Sequence, residues 1–154
     1  LEQAKNGPLT ITDPRMTRFN ISLSEGVAMV CRVVEDSFGG EIFVPKIPSY
    51  RILDVAEAIA PSREKVISGI RPGEKIHEEM ITSSDSFNTY DLGKDYAILA
   101  SHPRFKDLYS NQGVDLISVQ EGFVYNSGSN TSFLTVEDIR LLIVKHIDPN
   151  FQPI

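Results

Sequence analysis

Apolar residues recur along this chain at two periods, and the alternation between them sets the expected architecture. Leu9 and Ile11 alternate with Thr10 and Thr12 just after Pro8, so residues 8–12 read as a short strand. Asp13-Pro14 then turns the chain. Val27, Val30, Cys31 and Val34 return at helical spacing behind Ser22-x-x-Glu25, a capping-box pair. That helix is expected to run to about Ser37 and to stop before Gly39-Gly40, with Cys31 buried and inert on its apolar stripe. Residues 41–45 read as a second strand, ended by Pro45. Ser49 is a candidate N-cap for a helix over about 50–60, whose stripe is Ile52, Val55, Ala56 and Ile59. Residues 65–70 form a third strand that leads into Arg71-Pro72-Gly73-Glu74.

The later pattern is less regular. Residues 76–81 fit a strand or a helical turn, and residues 89–99 fit a hairpin turning at Leu92 to Asp95. Residues 101–112 read as polar and irregular, 121–125 as a strand, and 126–130 as a flexible loop. Thr135-x-x-Asp138 caps a last helix with a core stripe of Ile139, Leu142 and Ile143. Asp148-Pro149 ends it, and the tail is expected to fray. Strand, connector and helix thus recur, which favours α/β layering.

Composition bounds the function. The chain has 154 residues, 41% apolar and 23% charged, an ordinary balance for one globular domain or a large part of one. A net charge of -6 argues against nucleic acid as a partner, because phosphate neutralisation needs clustered Lys and Arg. The single Cys31 excludes an intramolecular disulfide and a cysteine-rich metal site. No apolar run approaches a membrane span and no signal peptide is visible, so a cytoplasmic setting is expected. The chain opens at Leu1 with residues that read like the end of a helix already under way. A fragment with its upstream half missing is the expectation.

The strongest candidate chemistry lies at residues 71–74. Pro72 fixes its φ and Gly73 tolerates a positive one, so a tight turn there holds Arg71 and Glu74 in one relation. Arginine offers a planar fork of donors suited to phosphate, and glutamate offers only acceptors, suited to sugar hydroxyls. A phosphorylated, hydroxyl-rich small molecule needs both. A plain surface turn with an incidental ion pair is the alternative. Arg15 and Arg18 stand three apart; one would meet a phosphate and the other would stay in solvent. His77, His102 and His146 lack ligand spacing, and the adjacent Glu78 and Glu79 point apart on either a strand or a helix. Tyr90-x-x-x-Lys94 has the spacing of a tyrosine acid tuned by a lysine one helical turn on, but Gly93 and the missing apolar stripe argue against a helix. No glycine-rich dinucleotide loop occurs.

Three motifs carry a resemblance: Ile11-Thr12-Asp13-Pro14-Arg15-Met16-Thr17-Arg18-Phe19, then residues 39–49 (Gly-Gly-Glu-Ile-Phe-Val-Pro-Lys-Ile-Pro-Ser), then residues 69–79 (Gly-Ile-Arg-Pro-Gly-Glu-Lys-Ile-His-Glu-Glu). In this order and spacing the chain resembles the C-terminal part of the inverting UDP-N-acetylglucosamine 4,6-dehydratases. These belong to the polysaccharide-biosynthesis branch of the extended short-chain dehydrogenase/reductases. The resemblance is most secure from Pro8 to about Pro103. It implies an α/β fold: the substrate-binding portion of such an enzyme, a mixed small sheet with helices, with the NADP-binding Rossmann half missing.

The activity implied is a hydride relay. NADP oxidises C4 of the sugar, water leaves across C5 and C6, and hydride returns to C6 with inversion at C5. The glycine-rich loop and Tyr-x-x-x-Lys of that relay lie upstream of the residues present, so this chain alone is expected to be inactive. What carries over is binding. The resemblance implies that Arg18 reaches the UDP moiety, Arg71 the pyrophosphate and Glu74 the uridine ribose, while Pro8, Leu9 and Thr10 meet the uracil region through their backbone. Lys46 is a weaker candidate for the same cleft. The partners implied are a UDP-sugar, the Rossmann half, and further copies of the full-length enzyme. Residues 1–154 would then be one nucleotide-sugar-binding domain with apolar surface meant for the other half. A free-standing, non-catalytic nucleotide-sugar module, or part of a related epimerase, are the alternative readings.

Overall fold

The computed structural model describes residues 1–102 and 104–154; Pro103, where the most secure part of the resemblance ends, lies outside the described residues. In chain order the elements are α1 (Glu2–Asn6), β1 (Leu9–Ile11), β2 (Thr17–Phe19), α2 (Leu23–Asp36), β3 (Ile42–Pro45), β4 (Ser49–Arg51), α3 (Ile52–Ile59), β5 (Lys65–Ile67), β6 (Glu79–Ile81), a 3-10 turn (Asp85–Asn88), β7 (Thr89–Asp91), β8 (Asp95–Ile98), α4 (Arg104–Asn111), β9 (Ile117–Ser118), β10 (Tyr125–Asn126) and α5 (Val136–His146). The fold is mixed α/β with small sheets. The chain divides into two compact units, 1–20 with 48–78 and 127–154, and 21–47 with 79–126.

The first unit is built on β1, β5, α3 and α5. β1 and β5 pair in parallel, Leu9 opposite Lys65 and Ile11 opposite Ile67. Period-2 alternation turns Leu9 and Ile11 inward, where they pack with Ala4 of α1, with Ala56 of α3 and with Ala60 at the C-cap of that helix. The other side of α3 meets α5 through Ala58, Ile139 and Ile143. Thr135 and Asp138 form the expected capping box at the start of α5. The tail does not fray: Phe151 packs on the α3–α5 core, and the Ile154 amide donates to the Ile59 carbonyl at 3.0 Å. Ser49 is not an N-cap. It lies in β4, antiparallel to β2, where its backbone bonds Ser132 and Leu134 and its hydroxyl accepts from Asn130 Nδ2 at 2.9 Å. Those partners outcompete a local cap, and the helix starts one turn-entry later, after an extended Arg51.

The second unit centres on an antiparallel sheet ordered β3-β8-β7-β9. β7 and β8 are the expected hairpin, which places Tyr90 in a buried strand position and Lys94 in the turn, and so dissolves the Tyr90-x-x-x-Lys94 pair. The stretch read as irregular is helical over α4. Phe105, Leu108 and Tyr109 share one helix face, and Phe105 and Tyr109 are buried against Tyr90, Ala97 and Leu99. α2 has its capping box and its length, but it contains no buried residue. The row Gly26, Met29 and Val33 is half-buried, while Leu23, Val27, Val30 and Val34 face solvent, at 86, 55, 62 and 72% exposure. Cys31 is therefore exposed rather than buried. The expected stripe of Val27, Val30, Cys31 and Val34 is thus the solvent-facing side of the helix, because helical period groups apolar residues on a face without saying which face a neighbour covers.

Tyr109 stacks edge-to-face on Phe38 and donates to Glu41 Oε1 at 3.3 Å. Burial, reinforced by the Glu41 carboxylate, pushes its phenol up to about 12. In the unfolded chain a tyrosine ionises near 10. The stability from the neutral phenol is thus complete below about pH 10 and is lost as pH rises toward about 12. Tyr109→Phe should flatten the alkaline loss of stability relative to the parent. Urea unfolding followed by circular dichroism over that window checks this; parallel curves for the two proteins would refute it. Among the described residues no helix is long and apolar enough to cross a membrane.

Candidate functional site

All six candidate binding residues fall in the first unit. Between Ser68, whose amide is held by the Ile11 carbonyl at 2.9 Å, and Ile76, whose carbonyl is held by the Thr17 amide at 3.0 Å, the chain is exposed. Within that span the turn forms as the residues dictate. The Glu74 amide donates to the Arg71 carbonyl at 3.1 Å, and Gly73 adopts φ 86° after Pro72. The Glu74 carboxylate folds back and accepts from the Arg71 amide through Oε2 at 3.2 Å. No ion pair links the two side chains among the described residues; the turn lies at the surface, as in the plain-turn alternative, but without its incidental pair. The Arg71 guanidinium has no partner among the described residues. One Glu74 oxygen is used, and the carboxylate keeps acceptor sites for a hydroxyl.

Arg18 lies on β2 opposite Tyr50, and its environment is different. Its Nη1 donates to the Thr17 carbonyl at 2.7 Å and to the Ile76 carbonyl at 3.1 Å. Its Nε stands 3.7 Å from Glu78 Oε1, and Glu78 Oε2 accepts from the Phe19 amide at 2.8 Å. Nη2 donates to Met16 Sδ at 3.8 Å, which leaves it one N–H for a ligand. Arg18 is thus brought to the far end of the segment that begins with Arg71. No hydrogen bond or ion pair joins it to Arg71 or Glu74 among the described residues. The Leu9 side chain is buried, and Pro8 and Thr10 are exposed beside β5.

The remaining cations are placed elsewhere. Arg15 grips Asp13 through two bonds at 3.0 and 2.8 Å, holding that carboxyl down to about 2. Lys46 belongs to the second unit, where it pairs with Asp91 and lies 4.5 Å from the Tyr96 ring centroid. A recess of about 500 Å³ in that same unit is lined by Phe87, Tyr90, Phe105 and Lys106 among others, and none of the six candidates borders it.

Sequence reasoning missed a second cluster. Thr17 Oγ1 lies 2.8 Å from His77 Nδ1 and 2.7 Å from Ser127 Oγ, and Ser127 Oγ accepts from the Glu78 amide at 2.9 Å. Glu78 was set aside because its neighbour Glu79 points away. That argument excludes an acid/base pair, not a bond to the backbone of β2.

The sequence pattern of the family described as "Polysaccharide biosynthesis protein" matches residues 1–100. The chain is 43% identical over 145 residues to the UDP-N-acetylglucosamine 4,6-dehydratase (inverting) of Campylobacter jejuni, which spans 91% of this chain and 43% of that protein. It is 33% identical over 153 residues to the UDP-glucose 4-epimerase of Rickettsia akari, spanning 94% of this chain and 43% of that one. The X-ray structure of Pen from Bacillus thuringiensis superposes with a TM-score of 0.73 at 24% identity, over 94% of this chain and 42% of the other, a likeness of fold. The chain therefore spans about two fifths of the length of the relatives it matches.

Proposed function

This chain belongs to the polysaccharide biosynthesis protein family, and on that premise we propose that it supplies the UDP-sugar-binding residues of a C5-inverting nucleotide-sugar 4,6-dehydratase. The substrate of this reading is UDP-N-acetylglucosamine, and the setting is cytoplasmic synthesis of a surface polysaccharide or glycan. The turn at 71–74 carries it: a guanidinium without a partner among the described residues and a backbone-locked carboxylate share one exposed turn. Arg71 takes the pyrophosphate as a bidentate donor. Glu74 accepts from the ribose hydroxyls. Arg18, already half-used by carbonyls and Glu78, contributes through Nη2 and contributes less. The backbone of Pro8, Leu9 and Thr10 meets the uracil. An epimerase is the second reading, favoured by the likeness to the Rickettsia enzyme, and the same six residues serve it.

The chemistry belongs to the rest of such an enzyme. NADP needs a glycine turn between a strand and a helix N-terminus. Among the described residues the positive-φ glycines 39, 40, 69, 73, 93, 113 and 122 open no helix of that kind. On this reading NADP is held by the rest of the enzyme rather than by these residues. The solvent-facing row of α2 is the surface that a Rossmann portion would cover, and the full-length enzyme would be a homo-oligomer.

Titration of the chain with UDP, by calorimetry or amide shifts, tests the reading. Saturable binding is expected, weakened at least about tenfold, ~1.4 kcal/mol, by Arg71→Ala. Absence of binding, or equal affinity in the variant, overturns it.

A further inference from the structure

We propose that His77 is a positioning residue of this nucleotide site, locking the segment that carries Arg71 and Glu74 onto the strand that carries Arg18. The proposal rests on the reading above. Two independent observations support it. The first is the hydroxyl relay: Glu78 amide to Ser127 Oγ, Ser127 Oγ to Thr17 Oγ1 at 2.7 Å, and Thr17 Oγ1 to His77 Nδ1 at 2.8 Å. Thr17 and Ser127 are buried at 5 and 0% exposure, so their hydroxyls have little water to turn to and bond one another and the nearby backbone, Ser127 Oγ reaching the Thr17 carbonyl at 3.1 Å as well. The second is a shelf. A Cβ at Gly128 would sit 2.5 Å from His77 Nδ1, 2.6 Å from Cγ and 2.7 Å from Cε1. Gly128 does not have a left-handed φ, so its conformation does not call for glycine. The imidazole seated on it leaves no room for a Cβ unless the ring moves.

The consequence is mechanical. His77 follows the exposed turn segment at its C-terminal end, and Thr17 precedes Arg18 on β2. The His77 clamp therefore acts at the same place where the Ile76 carbonyl receives the Thr17 amide and Arg18 Nη1. One ring fixes both the exit of the Arg71 turn and the neighbour of the second arginine. A flexible exit would spread the turn over many orientations, and ligand binding would then carry the cost of ordering it.

The test compares UDP affinity in the parent, Arg71→Ala, His77→Ala, His77→Asn and Gly128→Ala, with amide hydrogen exchange at Thr17 and Ser127 read on each. Asparagine can turn either its oxygen or its nitrogen toward Thr17 Oγ1, so it replaces Nδ1 in whichever direction the relay runs. The expected result is roughly a tenfold loss of affinity for His77→Ala and Gly128→Ala, and recovery to within about twofold in His77→Asn. Amide protection should fall in the first two and hold in the third. Gly128→Ala removes no polar group, so a loss there is a loss of placement. If Arg71→Ala weakens binding while His77→Ala does not, or if protection is the same in every variant, His77 is not a positioning residue and the nucleotide reading stands. If Arg71→Ala also leaves the affinity unchanged, the nucleotide reading fails and the proposal fails with it. A His77→Asn variant as weak as His77→Ala, with a parent-like circular dichroism spectrum, also overturns it.

Discussion

Phe105→Ala should destabilise the second unit by about 3–5 kcal/mol, the usual cost of emptying a buried aromatic site. Phe105 is 2% exposed and joins Tyr90, Ala97, Leu99 and Tyr109 in one cluster. The tip of its ring lies 3.7 Å from where a Cβ on Gly40 would stand, so the helix also closes over the glycine turn before β3. The cavity cannot easily collapse. One side is a strand pair, β7 with β8, fixed by its ladder, and another is the turn at Gly39 and Gly40, held at φ 93° and 100°. Against a typical domain stability of roughly 5–15 kcal/mol, such a loss is a large share. The chain has no Trp, so circular dichroism in urea is the measurement. A shift in midpoint matching less than about 1 kcal/mol would mean that α4 does not close this core.

That helix shows where the sequence was legible and where it was misread. Phe105, Leu108 and Tyr109 stand at i, i+3 and i+4, so the helical signal was present; the polar residues between them hid it in a reading by composition. The two capping boxes were legible because Ser22 with Glu25 and Thr135 with Asp138 satisfy orphan amides locally. The turn at 71–74 was legible for the same reason, since Pro72 and Gly73 encode it without outside help. Ser49 was not legible: its partners Asn130, Ser132 and Leu134 lie about eighty residues away, and no local pattern reports them. The relay of Thr17, His77 and Ser127 is of that kind too. It joins residues 60 and 110 positions apart, and only the fold brings them together.

The last expected result concerns the way α2 is held. A helix with an apolar stripe usually docks by that stripe. Here the stripe of Val27, Val30, Cys31 and Val34 faces solvent, and an ion pair ties the helix to the sheet, Arg32 Nη1 with Asp95 Oδ2 at the start of β8. The Asp95 side chain is 5% exposed and that of Arg32 is 30% exposed. Removing one member of a buried pair strands the other, at a cost of about 3–5 kcal/mol. Arg32 keeps some access to water, so Asp95→Ala should cost near the lower end of that range, about 3 kcal/mol. The attraction itself is a weaker claim, because desolvating both groups offsets much of it. Replacing the pair by Arg32→Met with Asp95→Leu should therefore recover most of the loss. Urea midpoints for the single and double variants separate the two ideas. A double variant as unstable as Asp95→Ala would mean that charge, not packing, seats α2. An Asp95→Ala variant as stable as the parent would mean that the half-buried row holds α2 without the ion pair.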